Sequence, residues 1–178
     1  MSSCKKIMYA LCLVLATNSA AIRAQTCQTA SIAATSPSNR FTVSSNGTVT
    51  DTKTGLMWKR CSEGLSGVGC TVGSAVTYNS WQNALLQAQT VNSNGGYAGY
   101  SNWRVPNVKE LRSITERQCY DPAINAIIFP NTISYSYWSS SPIANLSNRA
   151  WGVSFGKGGD LFVHKLYYGH VRLVRSGQ

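Results

Sequence analysis

Acidic side chains are scarce in this 178-residue chain: six Asp and Glu stand against sixteen Lys and Arg, a formal net charge of +10. Calcium sites draw six to eight oxygens, several of them from carboxylates. Glycoside hydrolysis needs two acids facing one bond. Scattered acids, with no suggestive pair among them, argue against both. Histidine is scarcer still, with only His164 and His170. No C-x-x-C motif accompanies them, so a zinc site lacks a ligand set; no metal and no cofactor is expected. Long apolar runs are missing too. The longest, Ile7 to Ala16, has ten residues, too few to span a bilayer. No internal repeat or coiled-coil heptad is visible.

That short run has a different use. Lys5 and Lys6 precede it, and small residues ending at Ala24 follow, the pattern of an export signal over residues 1–24, with Ala21 as the alternative cleavage point. Cys27, preceded by Ala24, Gln25 and Thr26, is a poor match to a lipoprotein site. The mature product is expected to be periplasmic or secreted, without a transmembrane anchor and with no nucleic acid in its compartment. Removal of residues 1–24 takes Cys4 and Cys12, leaving Cys27, Cys61, Cys70 and Cys119. An even number in an exported chain reads as two disulfides. Cys61 and Cys70 bracket "SEGLSGVG", whose three glycines let a short loop close. Cys27 is then left to pair with Cys119.

Without Lys5, Lys6 and Arg23 the chain keeps thirteen cations against six acids, or +7. Residues 25–50, 51–100 and 101–148 contribute +1 each. The last thirty residues carry Arg149, Lys157, Lys165, Arg172 and Arg175 against Asp160 alone, +4. The excess is concentrated at the C-terminus.

The coarse pattern is α+β. "FTVSSNGTVTDTKTGLMWKR" (41–60) is rich in β-branched residues and broken at Asn46-Gly47 and Thr54-Gly55, which predicts paired strands with tight turns. Trp81, Ala84, Leu85 and Ala88 stand at i, i+3, i+4 and i+7, an amphipathic helix behind an Asn79/Ser80 cap. The glycine-rich "SNGGYAGYSN" ends it. In "SNWRVPNVKEL", Pro106 keeps Val105 extended, and Asn107 with Glu110 forms a capping-box start. Val108, Leu111 and Ile114 then make one buried stripe, Trp103 packs beneath, and Arg104 is a structural donor. On this helix Lys109 and Arg112 share a face with Glu116, and Glu110 lies near Arg117. That reads as a salt-bridged, solvated surface and a poor polyanion site. "PAINAIIFPNT" is a proline-bounded loop with buried apolar residues, and strands are expected at 135–141, 150–155, 161–168 and 170–176. Residues 41–178 form one domain, behind a Ser/Thr/Ala-rich tail at 25–40 that is the only segment to read as disordered.

"NGTVTDTKTGLMWKRC", "WQNAL", "GYSNWRVPNVKELRSI", "PAINAIIFPNT", "YWSSSP", "AWGVSFGKGG" and "VRLVR", in that order, resemble the Lcl C-terminal domain family from Phe41 to Arg175. The resemblance implies a C-type lectin-like fold related to formylglycine-generating enzymes, with two short helices flanking twisted antiparallel sheets and hairpins. For the collagen-like adhesin that names the family, it implies binding of sulfated glycosaminoglycans through a basic surface, as a trimer. No Gly-x-y collagen repeat precedes the domain here. The reactive cysteines of formylglycine-generating enzymes have no counterpart after Cys119. "VPN" (105–107) lacks the acid of the calcium-lectin motifs, and no Trp-Asn-Asp occurs.

"GVSFG" (152–156) matches G-x-S-x-G, with Asp160 and a histidine following, but a hydrolase needs a strand–elbow–helix around the serine. Trp151, Val153 and Phe155 alternate with Gly152 and Ser154, and "GKGGD" suggests a hairpin turn, so no enzymatic activity is expected. What remains is binding of a polyanionic glycan or, alternatively, of an acidic protein surface in an envelope assembly. The candidate ligand-binding set is Arg149, Lys157, Lys165, Arg172, Arg175 and Tyr168. Lys157 sits at the hairpin tip and Lys165 near the far end of its second strand, while Tyr167 and Tyr168 offer stacking faces. Arg172 and Arg175, three apart, face opposite sides of a strand, and at least one is expected to be a structural arginine bonded to backbone carbonyls.

Overall fold

A computed structural model describes residues 24–177. The body of the expected export signal, residues 1–23, lies outside the described residues. Among those described, no helix is long and apolar enough to cross a membrane.

The chain enters as β1 (Thr26–Cys27), which pairs antiparallel with β7 (Cys119–Tyr120) and sets Cys27 opposite Cys119. Both expected disulfides are present: Cys27–Cys119, 92 residues apart, and Cys61–Cys70 around the glycine loop. The tail at 25–40 is ordered, contrary to its composition. Gln25 Nε2 donates to the carbonyls of Pro122 and Ile124, and the buried Glu116 carboxylate accepts the N–H groups of Thr35 and Ser36 at 2.9 and 2.8 Å. Those partners lie eighty or more residues away in sequence, beyond the reach of a local compositional reading.

The 41–60 stretch folds as its pattern implies. Strands β2 (Phe41–Val43), β3 (Thr48–Asp51) and β4 (Leu56–Lys59) form a meander turning at Asn46-Gly47 and Thr54-Gly55. Gly47 is required twice over: its φ is +85°, and a Cβ there would stand 2.1 Å from the Tyr97 hydroxyl oxygen. A short hairpin of β5 (Leu65–Ser66) and β6 (Val72–Gly73) surrounds the second disulfide.

Helix α1 (Trp81–Ser93) starts where Ser80 Oγ accepts the Asn83 N–H, and buries Ala84 and Ala88. Helix α2 (Val108–Ser113) carries the full capping box: Asn107 Oδ1 accepts the Glu110 N–H, and Glu110 returns the bond to the Asn107 N–H. Leu111 and Ile114 are wholly buried, and Trp103 is 2% exposed. Arg104 is the structural donor expected of it, forked onto Glu110 at 2.7 and 2.6 Å.

Strands β8 (Ser136–Ile143), β9 (Leu146–Ser154) and β10 (Asp160–His164) form a second sheet in the order β10-β9-β8, with β10 at its edge. β11 (Val174–Ser176) joins the first sheet beside β4. The last two strands are shorter than their patterns predict. After His164 the chain turns, the Tyr167 N–H closing onto the His164 carbonyl, and only residues 174–176 pair regularly. Consecutive strand residues point to opposite faces, and here both faces are covered. Trp58, Tyr137 and Val174 enter one apolar cluster with α2, while Met57, Trp138 and Leu173 enter a second with α1. The result is α+β: antiparallel sheets with two short helices.

Candidate functional site

All six acids have partners, five of them within the fold and Asp160 in an exposed pair. Asp51, fully buried, takes the Arg40 guanidinium as a fork, the Thr54 hydroxyl and the Lys53 N–H. Burial alone would raise its carboxyl pKa; these bonds outweigh that and hold it below the usual range. Glu63 pairs with Lys59 at 2.7 Å, Glu110 with Arg104, and Asp160 with Arg112 at 2.9 Å. Glu116 is 3% exposed and accepts four hydrogen bonds from Thr35, Ser36 and Gln118. Burial pushes its carboxyl up, and the N–H donors pull it net below the ordinary glutamate range. Asp121 has partners as well.

This arrangement corrects the salt-bridged reading of α2. Glu110 is folded back into its own cap and onto Arg104, so it does not meet Arg117, and Glu116 is buried under the N-terminal segment. Lys109, Arg112 and Arg117 are consequently left facing solvent. The β3–β4 turn brings Lys53 alongside them. A groove of about 330 Å³ results, lined by Lys53, Lys109, Arg112 and Arg117 with Arg40, Thr35, Thr54, Ser113 and Thr115. No acid lines it. Arg40 forms a neutralised floor, tied to Asp51 and donating to the Ser113 carbonyl at 2.9 Å. The Arg112–Asp160 pair is exposed and therefore weakly held, so its guanidinium can exchange the carboxylate for another anion. Among the described residues Lys53, Lys109 and Arg117 have no ion-pair partner. The cations come from four separated positions, which hid the groove from a window-by-window count. One signal was legible: a capping-box glutamate is occupied and does not cancel a neighbouring lysine.

The C-terminal set is dispersed. Arg172 is fully buried, donating to the carbonyls of Lys59 and Arg60 and the hydroxyls of Ser62 and Thr132 and lying over the Phe129 ring. Burial pulls its pKa down to about 10, leaving it charged at neutral pH. Arg175, 7% exposed, bonds Asn102 and stacks 3.9 Å over Tyr100. The two do face opposite sides of the strand, but both sides are interior, so both leave the surface set. Lys165 is half-buried, its ammonium 4.5 Å from the centre of the Trp81 ring. Lys157 is exposed in the β9–β10 turn, at the opposite end of the hairpin from Arg149 and Lys165. Tyr168 is 57% exposed, and its carbonyl accepts the Ser136 hydroxyl. Ser154 ends β9 and is followed by a turn rather than a helix.

Two C-terminal residues do meet. Arg149 and Tyr167 line one cleft of about 470 Å³ along the edge strand, together with Tyr135, Phe162 and His164. Arg149 lies directly opposite His164 in the β9–β10 register.

No curated protein matches the chain closely enough to count as a relative. A family match does cover most of its length: the family described as the Lcl C-terminal domain matches residues 47–175, from the Gly47 turn to Arg175 on β11. That span includes both helices, the second sheet, and the groove cations from Lys53 to Arg117, and it leaves the segment clamped by Glu116 outside. The chain belongs to the Lcl C-terminal domain family.

Proposed function

We propose that this chain is an exported, non-enzymatic binding module for a polyanionic glycan, a sulfated polysaccharide being the best fit, held along the basic groove beside α2. The observation that carries the reading is the groove itself: Lys53, Lys109 and Arg117 face solvent without an ion-pair partner among the described residues, beside Arg112, whose exposed pair with Asp160 is open to exchange, while Asp51, Glu63 and Glu110 are spent on internal partners. Lysine ammoniums and arginine forks bind sulfate as they bind phosphate. The two disulfides accord with an oxidising compartment outside the cytoplasm.

Binding of a linear polyanion releases counterions, so affinity falls steeply with salt. Heparin-affinity chromatography checks this directly. The wild-type chain is expected to elute well above physiological ionic strength. Lys53→Glu, Lys109→Glu and Arg117→Glu together should bring elution down to that of a neutral protein of similar size and lower the slope of log K against log salt by about 2. Lys157→Glu with Lys165→Glu should shift it little. Early elution of the wild type, or an unmoved triple variant, overturns the groove. A single saturable acidic protein captured in place of glycan would assign the groove to the envelope-partner alternative.

A further inference from the structure

We infer that the cleft along β10 is a subsite for a uronate-type saccharide ring, so that the glycan this chain recognises bears carboxylated sugars. The inference rests on the glycan-binding reading above, and concerns a cleft that reading does not use.

Three aromatic side chains that line the cleft remain exposed: Tyr167 is 62%, Phe162 57% and Tyr135 48% exposed, with Phe162 supported on one side by the Trp151 ring at 4.4 Å and Tyr135 meeting the His170 ring edge-on. Exposed aromatics gathered in a concavity mark a ligand groove more often than a bare surface. Their flat, electron-rich faces suit the C–H face of a pyranose, which carries partial positive charge. Ser134, Ser136 and Ser154 add hydroxyls that can exchange hydrogen bonds with ring hydroxyls.

The charged end of the cleft is made of donors. Arg149 and His164 occupy directly opposed register positions on β9 and β10, so their side chains start about 5 Å apart on one face. His164 Nδ1 accepts the Leu166 N–H at 3.3 Å, which leaves Nε2–H as the ring's outward donor. Arg149 is exposed, has no carboxylate partner among the described residues, and no acid lines the cleft. A guanidinium fork matches a planar carboxylate bidentately. In a uronate that carboxylate is bonded straight to the ring carbon, so the anion sits beside the stacked face, where one arginine and flanking aromatics can take both together. A bare polyanion would use none of the aromatic faces.

Calorimetric titration of the full chain separates this subsite from the groove with two probes. Oligogalacturonate carries carboxylates and no sulfate; dextran sulfate oligomers carry sulfate and no carboxylate. Oligogalacturonate should bind, and Arg149→Gln or Tyr167→Ala should each weaken it roughly tenfold. The Lys53→Glu, Lys109→Glu, Arg117→Glu variant should weaken it far less. Dextran sulfate should show the reverse pattern. Absence of oligogalacturonate binding overturns the subsite, as does binding lost only in the groove variant. Dextran sulfate failing while oligogalacturonate binds would sink the groove and leave the subsite standing. Phe162→Ala, at another exposed position, repeats the test should either substitution disturb the fold, as read by near-ultraviolet circular dichroism.

Discussion

Arg172 and Glu116 show how this molecule uses charge at the level of single residues. Each is buried, and each is bonded mainly to backbone or hydroxyl groups rather than to an opposite charge. Charge-assisted bonds of this kind are worth about 1.5–3 kcal/mol apiece, because a stranded buried partner bears its full desolvation cost. They work as rivets: Arg172 joins the end of β4 to the loop at Thr132, and Glu116 joins the N-terminal segment to the turn after α2. Glu116→Gln keeps the shape but can accept from fewer N–H groups. It should lower unfolding free energy by about 2 kcal/mol at neutral pH. The sign of its pH dependence follows from its depressed pKa. A carboxylate held below its unfolded pKa, near 4.5, contributes stability that is complete above that value and lost as pH falls through the folded one. Urea titrations from pH 7 to pH 3 should therefore show the two proteins converging at the acid end. A constant gap throughout would show that Glu116 acts by packing alone. "VRLVR" sets both arginines among core aliphatics, so at least one structural arginine was legible there without saying which. That both are buried was not, since the Phe129 and Tyr100 rings they lie over belong to distant segments.

At the scale of elements, α2 is the piece whose local rules and tertiary role coincide. It is only six residues long, too short to persist on propensity, and it depends on its capping box and on Leu111 and Ile114 in the core. Asn107→Ala removes the acceptor for the Glu110 N–H and should cost about 1 kcal/mol in urea unfolding. Heparin retention should stay within error of wild type, because Lys109 and Arg117 are set by the buried stripe rather than by the cap. A large loss of retention would mean that the cap positions the groove. The meander and both helices were readable from turn pairs, caps and periodicity. The two C-terminal strands read too long because periodicity registers alternation, not hydrogen bonding. Residues 165–168 turn, and residues 170–173 are held by the single Tyr137–His170 bridge and by scattered backbone bonds to Ser136, Trp138, Glu63 and Lys59.

Across the whole molecule, the Cys27–Cys119 link and the Glu116 clamp fasten the same N-terminal segment at two points. A link closing 92 residues is worth up to about 4–5 kcal/mol in the chain-entropy model. Cys27→Ser with Cys119→Ser should cost up to that amount, while the Thr35 and Ser36 amides stay protected from hydrogen exchange. Rapid exchange of those amides in the variant would mean that the disulfide alone holds the segment. The sequence by itself determined the disulfide pairs, the two helix starts, the meander turns, the family and the surplus of positive charge, because each depends on neighbours within a few residues, on counting, or on an ordered set of motifs. Only the tertiary structure decided where that charge is usable. It buried Arg172 and Arg175, separated Lys157 from Lys165, and turned Glu110 and Glu116 inward. Those choices depend on which residues distant in sequence supply the partners that make burying a charge tolerable, and a one-dimensional pattern does not contain them.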